Sequence, residues 1–284
     1  MKISVSMLSA YLYCPRMLFL QKILALEEPP KESLVLGSIR HEAFDLINKK
    51  EESVVKGIKE PIDFNYLLNI HKELHSSILK TVVIRKKAEL REANLGMAEA
   101  FESSWASVSH ESETRASVIF DFVQKHNLFG NELWEKLTPK ISSEFRIESD
   151  LMPLKGIIDQ VYIYGSQYVP YELKTGKAPR DGVWPGHKIQ LGAYAMMLEE
   201  KFKIPVKEGF VYYLDSKEKR HIAVNPFLKD EIANLVKEVM ELIENKALPK
   251  LCENKAKCRA CSFKGVCYNE ELLAMHMREA DLEI

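Results

Sequence analysis

Residues 156–177 read GIIDQVYIYGSQYVPYELKTGK, and this stretch decides the fold. Its two halves are rich in β-branched and aromatic residues and are separated by Gly165 and Ser166, which predicts a hairpin with a two-residue turn. Counting outward from that turn, Asp159 lies opposite Glu172. Facing side chains of a hairpin have Cβ atoms about 5 Å apart, so two carboxylates there can share a divalent cation.

A lysine completes this constellation. Lys174 follows Glu172 by two residues, so both side chains project from one face of the strand, whereas Leu173 points to the opposite layer. A cation held by the carboxylates would polarise a phosphate and lower the pKa of a bound water, and the lysine would orient that water or stabilise the developing charge. These groups are chemically sufficient for phosphodiester hydrolysis.

The alternative is an exposed hairpin that carries an ordinary Glu and Lys on its polar face, since such pairs are common. Asp159 argues against this alternative because it follows two isoleucines in an otherwise apolar strand. A buried carboxylate needs a cation or several hydrogen bonds.

The segments around the hairpin predict an α/β fold in which a mixed central β-sheet is flanked by helices. Further strands are predicted by short β-branched or aromatic runs at 141–149, 208–215 and 220–225. Apolar periodicity predicts helices over 4–24 with a kink at Pro15, over 38–50, over 187–202, and from about Pro226 to Lys246.

Differences in composition and residue pattern divide the chain into four parts. Residues 55–139 are charged, poor in glycine and proline, and helical in pattern, which predicts a helical insertion. The predicted division is N-terminal helices at 1–54, the insertion at 55–139, the α/β core at 140–248 and a cysteine-bearing segment at 249–284.

Composition leaves the partner open. The 284 residues are 46% hydrophobic, enough for a full core, and 40 basic residues against 41 acidic ones give a net charge of -1. This balance argues mildly against nonspecific wrapping of nucleic acid, but a local basic groove beside an acidic metal site would suffice. With neither a signal-like start nor a long apolar run, a cytoplasmic protein without a membrane partner is expected.

Five cysteines indicate a second metal site. They are Cys14, Cys252, Cys258, Cys261 and Cys267, four of them within residues 252–267. In a reducing compartment such clustering favours a metal over disulfides. A structural zinc site usually combines two close ligand pairs and this chain has one CxxC, yet zinc stays open as an alternative.

Four short patterns occur in a fixed order along the chain: GSIRHE at 37–42, GxxD at 156–159, ExK at 172–174 and QxxxY at 190–194. This ordered set resembles that of the RecB-family nucleases in the PD-(D/E)XK superfamily. Ile158 stands where the superfamily name has proline, at a position that varies widely.

The resemblance implies roles for further residues. It implies that His41 ligates the metal together with Asp159 and Glu172. It also implies that Gln190 and Tyr194, which are one helical turn apart and share a face, position DNA and the active-site lysine.

A second resemblance concerns the cysteines. The phrase YLYCPRMLFL at 11–20, followed by CxxC and a further cysteine at 258–267, is similar to the cluster-binding pattern of the CRISPR-associated RecB-like exonucleases, the Cas-four family. It implies a [4Fe–4S] cluster held by Cys14, Cys258, Cys261 and Cys267, which would tie the chain ends together. Cys252 is left as the spare thiol, although it could replace another ligand.

These resemblances imply a deoxyribonuclease that uses Mg2+ or Mn2+ and acts as an exonuclease on single-stranded DNA or DNA ends. They further imply a role with CRISPR integrase proteins in spacer acquisition, or in DNA repair. The alternative is a nuclease-like DNA-binding or scaffold protein that no longer cuts and keeps a structural cluster or zinc. The complete set of His41, Asp159, Glu172 and Lys174 argues against it, because an inactive copy has no physical reason to bury an Asp beside a Glu.

Overall fold

A six-stranded mixed sheet forms the centre of the computed structural model, which describes residues 1–29 and 31–282. Its strands are β1 (Ile3–Ser4), β2 (Lys140–Glu148), β3 (Leu154–Tyr164), β4 (Gln167–Lys174), β5 (Glu208–Tyr213) and β6 (Glu218–Ala223). β2 and β4 lie antiparallel on either side of β3, β5 runs parallel to β4, and β6 closes the far edge. The predicted α/β class with a mixed sheet is confirmed.

Helices cover both faces of this sheet. They are α1 (Val5–Tyr13), α2 (Pro15–Lys22), α3 (Glu32–Gly57), α4 (Phe64–Arg85), α5 (Lys87–Glu92), α6 (Met97–His126), α7 (Gly130–Lys136), α8 (Pro185–Phe202), α9 (Pro226–Asn245), α10 (Lys255–Ala260), α11 (Lys264–Cys267) and α12 (Glu270–Glu279). The main core joins one sheet face to α1, α2, α8 and α9, and a second core joins the other face to α3, α4 and α6. Over the described ranges, no helix combines the length and apolarity that crossing a bilayer requires.

Two helix boundaries differ from the prediction. The helix expected over 4–24 is two helices, because the chain is extended at Cys14, directly before Pro15. The helix expected to open at Ser38 already begins at Glu32 and runs to Gly57, since Val35 and Ile39 extend its buried side. Gly37 therefore lies within α3.

The hairpin adopts the predicted register. Its ladder runs from Tyr164 opposite Gln167 to Gln160 opposite Tyr171, which sets Asp159 one step beyond the last pair. Beyond that point β4 leaves β3, and β1 occupies the same edge only at residues 154–155. Asp159 consequently stands where β3 changes partners.

The other edge of β3 is distorted at the same place. β2 pairs with β3 on both sides of Glu144 but not at Glu144 itself, whose φ of 48° lies in the left-handed region that few non-glycine residues enter. Ile158 before the distortion and Val161 after it enter the same core, so the alternation of faces shifts here. Within the described chain, Asp159 thus has no ladder partner on either edge.

Candidate active site

Three side chains of metal-ligand type meet at the distortion. His41 on α3 places Nδ1 3.1 Å from Oδ1 of Asp159. One ligand atom each of His41, Glu144 and Asp159 lies within 4.8 Å of the others. Imidazole and carboxylate donors at this spacing can share one divalent cation.

Glu144 was not among the residues singled out from the sequence. The segment ISSEFRIES predicts only a strand, and no spacing along it marks the glutamate. Burial, and then the charges of Asp159 and Asp45, raise the pKa of Glu144. The one visible signal is an acidic residue in the middle of a strand that must pair with the strand of Asp159.

Glu172, the third predicted metal ligand, is buried and is not a member of this group of three. It is 2% exposed, and its Oε1 accepts hydrogen bonds from Lys174 Nζ, at 2.8 Å, and from the Gln190 amide. Its Oε2 is buried with no hydrogen-bond partner among the described residues. Burial and the nearby charge of Asp159 raise the pKa of Glu172, so its surroundings favour an added positive charge.

The second carboxylate is held by the backbone. Asp159 Oδ2 accepts from the Leu173 amide at 2.7 Å, which bridges the point where β4 leaves β3. Leu173 itself points into the core of α3 and α4, opposite to the side on which Glu172 and Lys174 meet α8. The predicted alternation of faces along β4 is therefore observed.

Lys174 is fixed by two oxygens. Nζ donates to Glu172 Oε1 and, at 3.0 Å, to Gln190 Oε1. Burial lowers the pKa of Lys174, but the adjacent Glu172 outweighs burial and raises it above its ordinary value. The ammonium group is therefore charged at neutral pH.

Tyr194 connects two of the sequence patterns. Its OH lies 3.5 Å from Nε2 of Gln190. Its ring covers Gly156, where an added Cβ would stand only 2.6 Å from Cε1. The glycine of GxxD thus packs against the tyrosine of QxxxY. Gln190 contacts the predicted lysine, and Tyr194 contacts Gln190.

The pKa values of two histidines near this site are shifted in opposite directions. Burial lowers the pKa of His41, but its hydrogen bond with Asp159 outweighs burial and raises the pKa above its ordinary value. His187 was not singled out from the sequence; burial and the charge of Lys174 lower its pKa to about 4, and its Nδ1 lies 3.0 Å from the Tyr213 hydroxyl. His187 is therefore neutral at pH 7.

All five cysteines line one cavity. Cys14 reaches it from the junction of α1 and α2, and the other four come from residues 252–267. Tyr13 OH donates to the Lys257 carbonyl at 3.1 Å, and Lys257 Nζ donates to the Tyr13 carbonyl at 2.9 Å, which docks the tail on the N-terminal helices. None of the thiols forms a disulfide within the described part of the chain.

Cys252 also faces this cavity. Sequence spacing had set it apart as the spare thiol, whereas the structure brings it to the same cavity as the four predicted ligands. Lys257 and Lys264 line the cavity too, so positive charge lies close to the thiols.

A comparison with known protein families identifies the superfamily of this chain. The model of the PD-(D/E)XK nuclease superfamily matches residues 2–268. The chain belongs to the PD-(D/E)XK nuclease superfamily. The superfamily inferred from the ordered motifs is therefore confirmed.

Individual relatives are more distant. A CRISPR-associated exonuclease Cas4/endonuclease Cas1 fusion of Leptospira interrogans serogroup Icterohaemorrhagiae serovar Lai (strain 56601) is 29% identical over 152 residues, which are 50% of this chain and 28% of that protein. The DNA replication ATP-dependent helicase/nuclease JHS1 of Arabidopsis thaliana is 25% identical over 233 residues, 74% of this chain and 16% of that protein. This chain spans less than a third of the length of either relative.

Among solved structures, the crystal structure of SSO0001 matches 74% of this chain and 97% of its own chain at 15% identity. Its TM-score of 0.33 is too low to bear on the fold.

The similarity to the Cas4/Cas1 fusion supports a Cas4-like relationship within the superfamily.

Proposed function

We propose that this chain is a metal-dependent DNA nuclease that acts as an exonuclease on single-stranded DNA or DNA ends. The observation that supports it best is the carboxylate of Glu172, which is buried and has one oxygen without a partner among the described residues. Three further ligand-type groups, His41, Glu144 and Asp159, converge nearby. A buried carboxylate oxygen without a hydrogen-bond partner is costly, and a cation bound beside Oε2 would supply the missing partner.

The residues present fit a divalent cation. Mg2+ or Mn2+ would be held by His41, Asp159 and Glu172, as the resemblance implies, with Glu144 as a further ligand. When bound, the cation would polarise the scissile phosphate and lower the pKa of a bound water. Three acidic ligands and one imidazole suit these hard cations better than softer metals.

The lysine supplies the remaining charge. Lys174 Nζ is protonated and is oriented by Glu172 and Gln190. A fixed ammonium group at this position stabilises negative charge as it develops on the phosphate, without reorganisation during the reaction. Tyr194 contacts Gln190, and Gln190 contacts Lys174, so the two residues of QxxxY together would position the lysine.

Basic residues that could bind a DNA backbone are concentrated in one cleft. A cleft beside Tyr194 is lined by three basic residues and one acidic residue, namely Arg146, Lys155, Lys201 and Glu148. Lysine and arginine in a groove attract phosphates even when the whole protein has a net charge near zero. The charge of -1 is thus compatible with DNA as the substrate.

We further propose that Cys14, Cys258, Cys261 and Cys267 hold a [4Fe–4S] cluster. The donor set supports it, because the cavity collects thiols, the ligands that such clusters require, from both ends of the chain. When bound, the cluster would cross-link the N-terminal helices to the tail. Anaerobic purification followed by a visible absorbance scan distinguishes the cluster from zinc.

A CRISPR role is proposed from similarity alone. The Leptospira relative is named as a fusion of an exonuclease with the endonuclease Cas1. We propose that this chain works beside an endonuclease of that kind. Co-elution of the two purified proteins from a sizing column tests the proposal, and separate elution at micromolar concentration would contradict it.

The central experiment measures cleavage of end-labelled single-stranded DNA with Mn2+ and with EDTA. Wild-type protein should cut only with Mn2+, and Asp159→Ala and Lys174→Ala should each abolish cleavage while the circular dichroism spectrum is unchanged. Activity that persists in EDTA, or in either variant, would refute the assignment.

A matched pair tests the metal site without relying on activity. Mn2+ binding is measured by calorimetry for Glu144→Gln and for Glu148→Gln, whose side chain lies exposed on the same strand. Only Glu144→Gln should weaken binding, about tenfold or more. Equal affinities would remove Glu144 from the ligand set.

A further inference from the structure

The loop between β4 and α8, residues 175–184, carries an exposed aromatic residue. Trp184 is 49% exposed. Its Nε1 donates to the Lys177 carbonyl at 3.1 Å, and its backbone N–H donates to the Tyr213 hydroxyl at 3.2 Å. The indole is therefore held by its edge and its backbone while half of its surface stays open to solvent.

This residue is tied to the candidate active site by one buried side chain. Tyr213 is 1% exposed and stands opposite Lys174 in the pairing of β4 with β5. Its hydroxyl contacts both the Trp184 backbone and His187. The position of the indole is thus set by the strand that lies beside the lysine.

The same loop presents uncompensated positive charge. Lys177 and Arg180 are exposed, and within the described ranges neither forms an ion pair. Asp181 is the acidic residue of the loop. The Gly176 amide donates to Asp215 Oδ2 at 2.7 Å, which pins the start of the loop.

We infer that Trp184 is a stacking platform for one nucleobase of a single strand whose phosphates lie against Lys177 and Arg180. A nucleobase exposes its face only where it is unpaired, whereas in a duplex the neighbouring bases cover it. Stacking on a fixed aromatic ring tolerates any base, and nearby cations attract the backbone. The platform would therefore favour single strands and frayed ends over duplex DNA.

This inference rests on the proposed nuclease function, and its test uses binding rather than cleavage. In EDTA, fluorescence anisotropy compares an oligothymidylate with an abasic strand of the same length. Wild-type protein should bind the oligothymidylate more tightly than the abasic strand. Trp184→Ala should lower the ratio of these two affinities about tenfold, which is within the range for stacking of one base. Trp184→Phe should keep most of this ratio, although phenylalanine cannot donate to Lys177.

A control and a spectroscopic readout separate stacking from a loop-fastening role. Tyr66→Ala removes another aromatic side chain, which is 63% exposed on α4. It should change neither the affinity for the oligothymidylate nor the affinity for the abasic strand. With Trp105 and Trp134 replaced by phenylalanine, the remaining Trp184 emission should be quenched by the oligothymidylate and not by the abasic strand.

Other outcomes overturn the inference. If Trp184→Ala weakens both strands equally, or neither, the indole serves only to fasten the loop. If wild-type protein cuts DNA with Mn2+ yet shows no preference for bases, the platform is refuted and the nuclease function stands. If it neither cuts nor binds DNA, both fall.

Discussion

Gly156→Ala tests whether the contact between GxxD and QxxxY controls the active site. The new Cβ would stand 2.6 Å from Tyr194 Cε1, whereas ordinary contact begins at 3.4 Å, so the ring would have to retreat by about 0.8 Å. Tyr194 is 3% exposed and packs in the main core, so it has little room to retreat. Overpacking of this kind costs about 1–3 kcal/mol. At about 2–4 °C per kcal/mol, Tm should fall by about 2–12 °C.

Activity should fall further than stability suggests. A displaced Tyr194 shifts Gln190, which orients Lys174, and a misplacement near 1 Å can cost on the order of 100-fold in kcat. Single-turnover cleavage with Mn2+ and calorimetric melting measure the two effects.

Gly57→Ala provides the control, since nothing lies within 4 Å of its Cβ position at the end of α3, and it should be neutral or stabilising by about 0.5–1 kcal/mol. Adding Gly156→Ala to Tyr194→Leu should cost much less than adding it to wild type. If Gly156→Ala matches Gly57→Ala in kcat and Tm, the coupling of the two motifs is refuted.

Three further predictions follow from the other sites. Cys14→Ser should remove the brown colour and iron of anaerobically purified protein and lower Tm, whereas Cys252→Ser should do neither; bleaching of the Cys252 variant alone would overturn the chosen ligands. Arg115→Met should cost about 3–5 kcal/mol in urea unfolding, because it strands a buried glutamate, whereas Arg85→Met at an exposed pair should cost under about 1 kcal/mol; equal costs would contradict this reasoning. Mn2+ affinity should rise as the pH increases above the ordinary histidine range, because His41, whose pKa is raised, must lose its proton to bind metal; Glu172, whose pKa is also raised, adds to the slope, so His41→Gln should make the profile shallower, and an unchanged slope in that variant would exclude the histidine.

The hairpin was predictable because its information is local. A two-residue turn sets the register, and alternation along β4 then assigns Glu172 and Leu173 to opposite faces. The strand segments and the helix from Pro226 were recognisable for the same reason, since their periodicity and bounding residues lie within a few positions of one another. β1 was missed because two residues carry no periodic pattern.

The polar centre of the helical region could not be predicted in this way. Arg115 on α6 contacts Glu51 on α3, and both side chains are almost fully buried. His75 on α4 adds a hydrogen bond to Ser112 at 2.8 Å. Such contacts join residues from separate helices, and the amphipathic pattern of each helix carries no information about which polar groups will meet.

Glu144 shows that the geometry of the site depends on a backbone distortion that none of the sequence motifs marks. The chain enters a left-handed conformation at Glu144, at a cost of about 1–2 kcal/mol for a residue with a Cβ, and the ladders on both sides of Asp159 are interrupted at the same point. A sheet selected for stability alone would continue these ladders, because each interrupted pair gives up backbone hydrogen bonds. The interruption instead lets Asp159 accept from Leu173 with one oxygen and face His41 with the other. Strain that is concentrated where ligand-type side chains converge is what a preorganised cation site requires. If that account is right, cation binding should protect the amides flanking Glu144 and Asp159 from hydrogen exchange more than those at the far end of β3.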